Sequence, residues 1–357
     1  MINVTQPFLP PYEVYKKYLK GIWERKWFTN NGPLGQELEK ELKDYLKVKY
    51  LFFVNNGTIA LQIAIKALGF KGEVITTPFS YVAITNCILW EGCQPVFADI
   101  NETDFNINAD KVEALITENT TGILATYVYG NPCNVEKLED ICRRNNVKLI
   151  YDGEYAFGTI YKNRHMLSYG DIATCSFHAT KLFHTFEGGA IITNNDELAD
   201  SIMLYRQFGH IGDEYYTVGV NGKSSEAHAA IGLSVLPYVG EIIEKRKLLS
   251  QAYDESLKGV PLERSIPLSN TQANYAYYPV LFQSEELLLK TKNQLAYCSI
   301  NRHRYFYPSL NTLSFVKGES CPVAESISKR VLALPIYSAL NIPEVKTIVS
   351  YLKKFLN

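Results

Sequence analysis

This sequence predicts an α/β fold: a large domain with a mostly parallel sheet covered on both faces, and a smaller α+β domain behind it. Three observations carry the prediction. Short apolar runs alternate with helical patterns from about residue 50 to residue 208. Such alternation is the mark of βαβ units, whose strands are buried on both faces. The runs end in polar residues such as Asn55, Thr77, Asp152 and Ser176, and ligands on parallel sheets sit at the strands' carboxyl ends. The character changes from about Pro237 onward, where a long helical stretch and Tyr-rich segments replace the alternation. We place the large domain at residues 1–236 with an N-terminal arm, and the small one at 237–357.

The elements follow in order. The first dozen residues hold Pro7, Pro10 and Pro11 and read as an irregular arm. Tyr12 to Lys26 reads as a helix, 28–35 as a loop, and Gln36 to Leu46 as a charged helix. YLFFV (50–54) is a strand, followed by NNG and a helix from Thr58 to Leu68. Strands are expected at 73–77, 94–100, 122–130, 147–152, 171–179 and 189–194. Helices are expected from Val82 to Glu91, at 110–116, at 135–145 and at 196–208. Beyond them lie a helix over 240–257, the segment NYAYYPVLF (274–282) and a helix near 284–295.

Composition narrows the function. With 357 residues, two domains are the expectation. The formal net charge of −1 gives no basic excess for nucleic acid and no acidic tail. The seven cysteines are scattered without a C-x-x-C pair, which argues against zinc ribbons and iron–sulfur clusters and for reduced thiols. The N-terminus has no apolar signal core and no run approaches a membrane span, so a soluble cytoplasmic protein is expected. The six histidines show no metal-protease spacing, and no metal is expected.

P-loop, G-x-G-x-x-G and G-x-S-x-G fingerprints are missing. NNGTIAL (55–61) sets a Gly-containing turn at a helix start, where free N–H groups favour phosphate; Thr58 can also cap the helix, and a cap alone, the commoner case, needs no ligand. Asp152 ends a strand, and a buried acid there needs a partner, either a cationic ring nitrogen or an Arg. Ser176 and Lys181 follow another strand in an apolar, Gly-rich setting, and a desolvated lysine can form a Schiff base. One reading uses them together. Pyridoxal 5′-phosphate (PLP) needs a lysine, an acid for its ring nitrogen, an anion nest and a flat side chain against its ring; Lys181, Asp152, Thr58 with Ser176, and Tyr81 supply them.

The blocks NNGTIAL, TPFSYVAITNCILWEGCQPVFADI, YGNPCNVEKLEDIC, IYDGEYAFG, YGDIATCSFHATKLFHTFEGGAIITN and GVNGKSSEAHAAIGL, in that order, resemble the DegT/DnrJ/EryC1/StrS family of PLP-dependent sugar aminotransferases. The resemblance implies PLP fold type I, as in aspartate aminotransferase, and a homodimer with shared active sites. It implies Lys181 as the Schiff-base lysine and proton shuttle, with Asp152 on the pyridine nitrogen. Ser176 and the Gly57–Thr58–Ile59 turn would hold the phosphate, and Tyr81 would stack on the ring. Asn221 would reach the phosphate of the partner subunit's cofactor, or be a plain turn residue. One departure stands out. The family usually reads Asp-x-Ala-His or Asp-x-Ala-Gln, and this chain reads Asp152-Gly153-Glu154-Tyr155. Tyr155 retains a hydroxyl to offer the cofactor, and Glu154 adds a charge.

The N-terminal segment, NYAYYPV and RHRYFYPSL look most like the branch aminating dTDP-4-keto-6-deoxy-D-glucose at C4, with L-glutamate as donor. His303, Arg304 and Tyr305 are then candidates for holding the nucleotide or its pyrophosphate. C3 amination of a dTDP-3-keto sugar, a UDP- or GDP-linked sugar, and a non-catalytic nucleotide-sugar-binding homologue are the alternatives. Family dehydratases carry His in place of the lysine, so Lys181 argues against that branch.

Overall fold

The computed structural model describes residues 1–356. Helices α1 (Tyr12–Arg25) and α2 (Pro33–Leu46) open the chain. The alternation follows: β1 (Tyr50–Val54), α3 (Gly57–Ala67), β2 (Glu73–Thr76), α4 (Ala83–Trp90), β3 (Gln94–Phe97), α5 (Ala109–Ala114), β4 (Thr120–Thr126), α6 (Val135–Asn145) and β5 (Lys148–Asp152). A hairpin of β6 (Ile160–Tyr161) and β7 (Arg164–His165) precedes β8 (Ile172–Ser176) and β9 (Gly189–Thr193). Next come α7 (Asp196–Arg206), the hairpin β10 (His210–Ile211) and β11 (Glu214–Tyr215), α8 (Glu226–Val235) and α9 (Val239–Ser256). The remainder holds β12 (Thr271–Gln272), β13 (Tyr278–Leu281), α10 (Glu285–Tyr297), α11 (Pro322–Arg330), β14 (Val331–Leu334) and α12 (Ile342–Leu356).

Seven strands form the main sheet in the order β1-β9-β8-β5-β4-β2-β3. The pairs β2–β3, β2–β4, β4–β5 and β5–β8 are parallel, and β9 runs against both of its neighbours. The carboxyl ends of β4, β5 and β8 therefore open on the same edge, bringing Thr126, Asp152 and Thr174 into register.

The period-two pattern of the strands divides the core. Ile123, Leu149, Tyr151, Ala190 and Ile192 face a cluster with α2, α6 and α8. Leu124, Ile150 and Ile191, one residue out of step, face α3, α4 and α7. A third cluster joins α9, β13, α10, β14 and α12. Helix α9 belongs to two of them: Val239 and Ile242 pack under the main sheet, Leu249 and Tyr253 in the C-terminal cluster. No helix among the described residues is long and apolar enough to cross a membrane.

Several strands stop short of the sequence expectation, each for a local reason. The expected strand 122–130 ends at Thr126, because Tyr129 and Gly130 adopt positive φ (56° and 84°) in a tight turn. The strand expected to reach Ala179 ends at Ser176. The backbone then turns back through Phe177 N–H to Gly188 O (2.8 Å) and Thr185 N–H to Phe177 O (2.9 Å). The cap of α3 is also corrected: it is Asn56, extended at φ −168°, whose Oδ1 accepts the Ile59 N–H at 2.8 Å. Thr58 sits inside the first turn, so its hydroxyl is not the cap.

Candidate active site

A cavity of about 420 Å³ opens where β5, β8 and the start of α3 converge. Gly57, Thr58, Tyr81, Asp152, Tyr155, Ser176 and Lys181 all line it, and so do His303 and Tyr305. Residues spread over some 250 positions thus meet through the parallel topology.

One end is shaped for an anion. The first turn of α3 presents N–H groups that have no preceding helical carbonyl to bond. Gly57 lets Ser176 come against that turn, since a Cβ on residue 57 would lie 2.9 Å from the Ser176 Cβ. The Ile59 N–H is taken by Asn56 Oδ1, so of the predicted trio Ile59 offers its backbone to the cap, and its side chain packs against the apolar cluster on that face.

The deep end is acidic. Asp152 is 4% exposed, and its Oδ1 accepts the Glu154 N–H at 3.1 Å. Burial first, then the nearby Glu154 charge, push its carboxyl up to about 8. A buried acid in this condition is stabilised as a carboxylate by a cation placed against it.

Lys181 reaches the cavity from a turn closed by its own N–H to His178 O at 2.9 Å. Its Nζ lies 2.8 Å from Glu154 Oε2 and 3.9 Å from the centre of the Tyr155 ring. Glu154 Oε1 is buried and has no hydrogen-bond partner among the described residues. The Tyr155 ring meets Tyr277 edge-on with centroids 5.0 Å apart, and burial holds the Tyr155 phenol well above its ordinary value. Tyr277 and Tyr305 extend this aromatic wall, also 5.0 Å apart, and His303 lies 4.2 Å from Tyr305. Tyr81 stands at the mouth, about half exposed.

Two predicted residues are not brought in. Arg304 is turned away, correcting the expectation that it holds a phosphate here. Its Nη2 donates to Glu285 Oε1 (2.7 Å) and Lys329 O (2.8 Å), and its guanidinium covers the Tyr307 ring. Asn221 lies outside this chain's own cavity, paired across a bridge with Gln207, and its carbonyl accepts from Asn55 Nδ2 at 3.2 Å.

Sequence reasoning missed His178, Thr180 and Glu187 at the rim. His178 Nδ1 and Thr180 Oγ1 are 2.8 Å apart, and His178 Nε2 is 3.5 Å from Glu187 Oε1. The signal was their adjacency to Lys181 and the GGA turn.

These observations fit pyridoxal phosphate. A helix N-terminus with a serine against a glycine suits a phosphate. A buried carboxyl awaits a cation, a primary amine projects between them, and a flat phenol stands at the mouth.

The sequence matches the DegT/DnrJ/EryC1/StrS aminotransferase family over residues 13–353. It is 40% identical to the dTDP-4-amino-4,6-dideoxy-D-glucose transaminase of Shigella dysenteriae, covering 99% of this chain and 98% of that protein. It is 29% identical to the GDP-perosamine synthase of Vibrio cholerae, with both chains fully covered. Among solved structures, DesI in the presence of its TDP-sugar product superposes with a TM-score of 0.95 at 27% identity, covering 99% of this chain and 92% of that one. Helicobacter pylori PseC, an aminotransferase of pseudaminic acid biosynthesis, superposes at 0.93 and 27%, covering 99% of each chain.

Proposed function

Since this chain belongs to the DegT/DnrJ/EryC1/StrS aminotransferase family, we propose that it aminates C4 of dTDP-4-keto-6-deoxy-D-glucose with L-glutamate as donor, giving dTDP-4-amino-4,6-dideoxyglucose. It has the fold-type-I architecture and is a PLP-dependent sugar aminotransferase. The observation that carries the site reading is the placement of the Lys181 amine, the Asp152 carboxyl and the Gly57–Ser176 cradle around one cavity.

Bound there, PLP supplies a carbonyl carbon that exchanges amines and a cationic ring that draws off the electron pair of a breaking C–H bond. The chain does the rest. The first turn of α3 and the Ser176 hydroxyl bind the phosphate. Asp152, as a carboxylate, holds the proton on the ring nitrogen, and the cation offsets the burial that pushes its carboxyl up. Tyr81 covers one ring face. Lys181 Nζ takes a proton from the carbon of the donor and returns one to the sugar carbon. The aromatic wall of Tyr155, Tyr277 and Tyr305 excludes water and offers flat apolar surface to a sugar ring. His303 and Tyr305 are the residues we assign to the nucleotide-sugar. Asn221, outside its own cavity, is assigned to the phosphate of a partner subunit's cofactor, which makes the active form a homodimer.

The test is the visible spectrum of the PLP-loaded protein. L-Glutamate should bleach the lysine-bound band, and dTDP-4-keto-6-deoxy-D-glucose should restore it, with the amino-sugar identified by mass spectrometry. A spectrum unmoved by glutamate overturns the donor. Restoration by a GDP- or UDP-linked keto-sugar and not by the dTDP sugar overturns the substrate.

A further inference from the structure

We infer that Glu154 and the ring of Tyr155 form the seat in which the Lys181 ammonium rests whenever its nitrogen is not engaged with the cofactor, so that Glu154 governs how readily the lysine is released to it. This rests on the PLP reading above.

The seat has two walls. Glu154 Oε2 lies 2.8 Å from Lys181 Nζ, and the Tyr155 ring centre 3.9 Å from it. A carboxylate beside an aromatic face is a cage for an ammonium. Both charged side chains are withdrawn from water, 12% and 13% exposed, so the pair is stronger than a surface ion pair. The walls are also fixed. The Glu154 N–H is tied to Asp152 Oδ1. Asn274 Nδ2 donates to Tyr155 O at 2.7 Å and to Phe157 O at 2.9 Å. The Tyr155 ring is braced by Tyr277.

The seat also faces the cavity, within reach of a group bound there. Glu154 Oε1 is buried in the cavity wall and has no partner among the described residues.

To bond a carbonyl carbon, the Lys181 ammonium must lose one proton, and Glu154 is the carboxylate it already touches. The neutral amine then adds, and the carbonyl oxygen leaves as water with the nitrogen's two remaining hydrogens. Glu154 thus opposes engagement by holding the ammonium and permits it by taking the proton. When an incoming amine frees Lys181, the same seat receives it.

The experiment compares two cofactor forms on the full-length, cofactor-free protein, without sugar. Pyridoxal phosphate bonds Lys181; pyridoxamine phosphate does not. Glu154→Gln, which keeps the shape and removes the charge, should shift the ratio of the two dissociation constants about tenfold toward the aldehyde form, the scale of one charge-assisted hydrogen bond. Glu154→Ala should shift it the same way. In a Lys181→Ala background the Glu154→Gln shift should vanish, because the partner is gone. An unchanged ratio with cofactor bound overturns this inference alone, as does a shift that persists without Lys181. A wild-type chain that bound neither form would overturn the parent reading and this inference with it.

Discussion

The Asp152 carboxylate accepts the backbone N–H of Glu154 at 3.1 Å, so two acids share one turn at the end of β5. Their side chains then diverge, Asp152 downward into the protein and Glu154 toward Lys181. The consequence for Asp152 is a pH dependence of the cofactor-free protein. In the unfolded chain this carboxyl ionises near about 3.9. In the fold burial pushes it up to about 8. Between those values the native state keeps a proton that the unfolded state has lost, so stability is full below about pH 4 and falls as pH rises toward 8. Asp152→Asn removes that loss. Without cofactor it should melt higher than wild type at pH 8, by about 3 °C or more, with the gap closing at pH 5. With PLP the order should reverse, since Asn cannot pair with a protonated ring nitrogen, and PLP affinity should drop about tenfold. Differential scanning fluorimetry across pH, with and without PLP, reads both.

Much of this site was legible from residue types and positions. Asp152, Ser176, Thr58 and Lys181 follow apolar runs, and the parallel sheet carries such ends to one edge. What was not legible depended on side-chain direction. That Asn56 and not Thr58 caps α3 turns on an extended backbone at residue 56. Arg304 looked suited to phosphate, but its guanidinium is engaged by Glu285 and Lys329 O. The Glu154–Lys181 pair spans 27 positions and three strands, so no local pattern announces it. The reversed strand β9 was hidden for a similar reason: an apolar run gives no direction.

Lys181→Ala should fold, since the side chain contributes one ion pair and one ring contact at the cavity wall. It should still bind PLP through the phosphate cradle and Asp152, without the lysine-bound spectrum. Turnover should fall by about 10³-fold or more, the scale of a lost proton-transfer group together with the lost covalent attachment. Single-turnover assays with the purified variant check the rate, and its absorption spectrum checks the binding mode.

Gly57→Ala tests the cradle. Helix preference favours Ala at an ordinary helical position. Here the new Cβ would meet the Ser176 Cβ at 2.9 Å and its Cα at 3.3 Å, and a backbone neighbour cannot swing aside. The variant should lose about 1–3 kcal/mol of stability, as overpacked sites do. Its affinity for PLP should fall about tenfold, the scale of one charge-assisted hydrogen bond to the phosphate. Adding Ser176→Gly should return part of the stability without the affinity, because it removes the 2.9 Å Cβ contact and the hydroxyl while the Cα stays. Chemical denaturation and PLP titration of the single and double variants separate the two effects.

Asn274 ties the small aromatic wall to the end of β5 from a distant part of the chain. It is 2% exposed; its Nδ2 donates to Tyr155 O and Phe157 O, and its Oδ1 accepts the Ala276 N–H at 3.0 Å. Asn274→Ala strands two buried carbonyls and one N–H, which should cost about 2–5 kcal/mol. Asn274→Asp keeps the size but turns the donor into an acceptor facing two carbonyls, so it should destabilise at least as much at neutral pH. The function should suffer in a particular way. The segment 153–157 carries both walls of the Lys181 seat, and loosening it spreads the positions of Glu154 and Tyr155. The Asn274→Ala protein should therefore retain phosphate-dependent cofactor binding, because Gly57 and Ser176 lie on other elements, while kcat falls more than KM rises. Steady-state kinetics at a temperature well below the variant's melting point distinguish that outcome from simple unfolding, which would lower the active fraction and leave KM unchanged. An equal loss of cofactor affinity and kcat would show that Asn274 supports the whole cavity and not the Lys181 wall in particular.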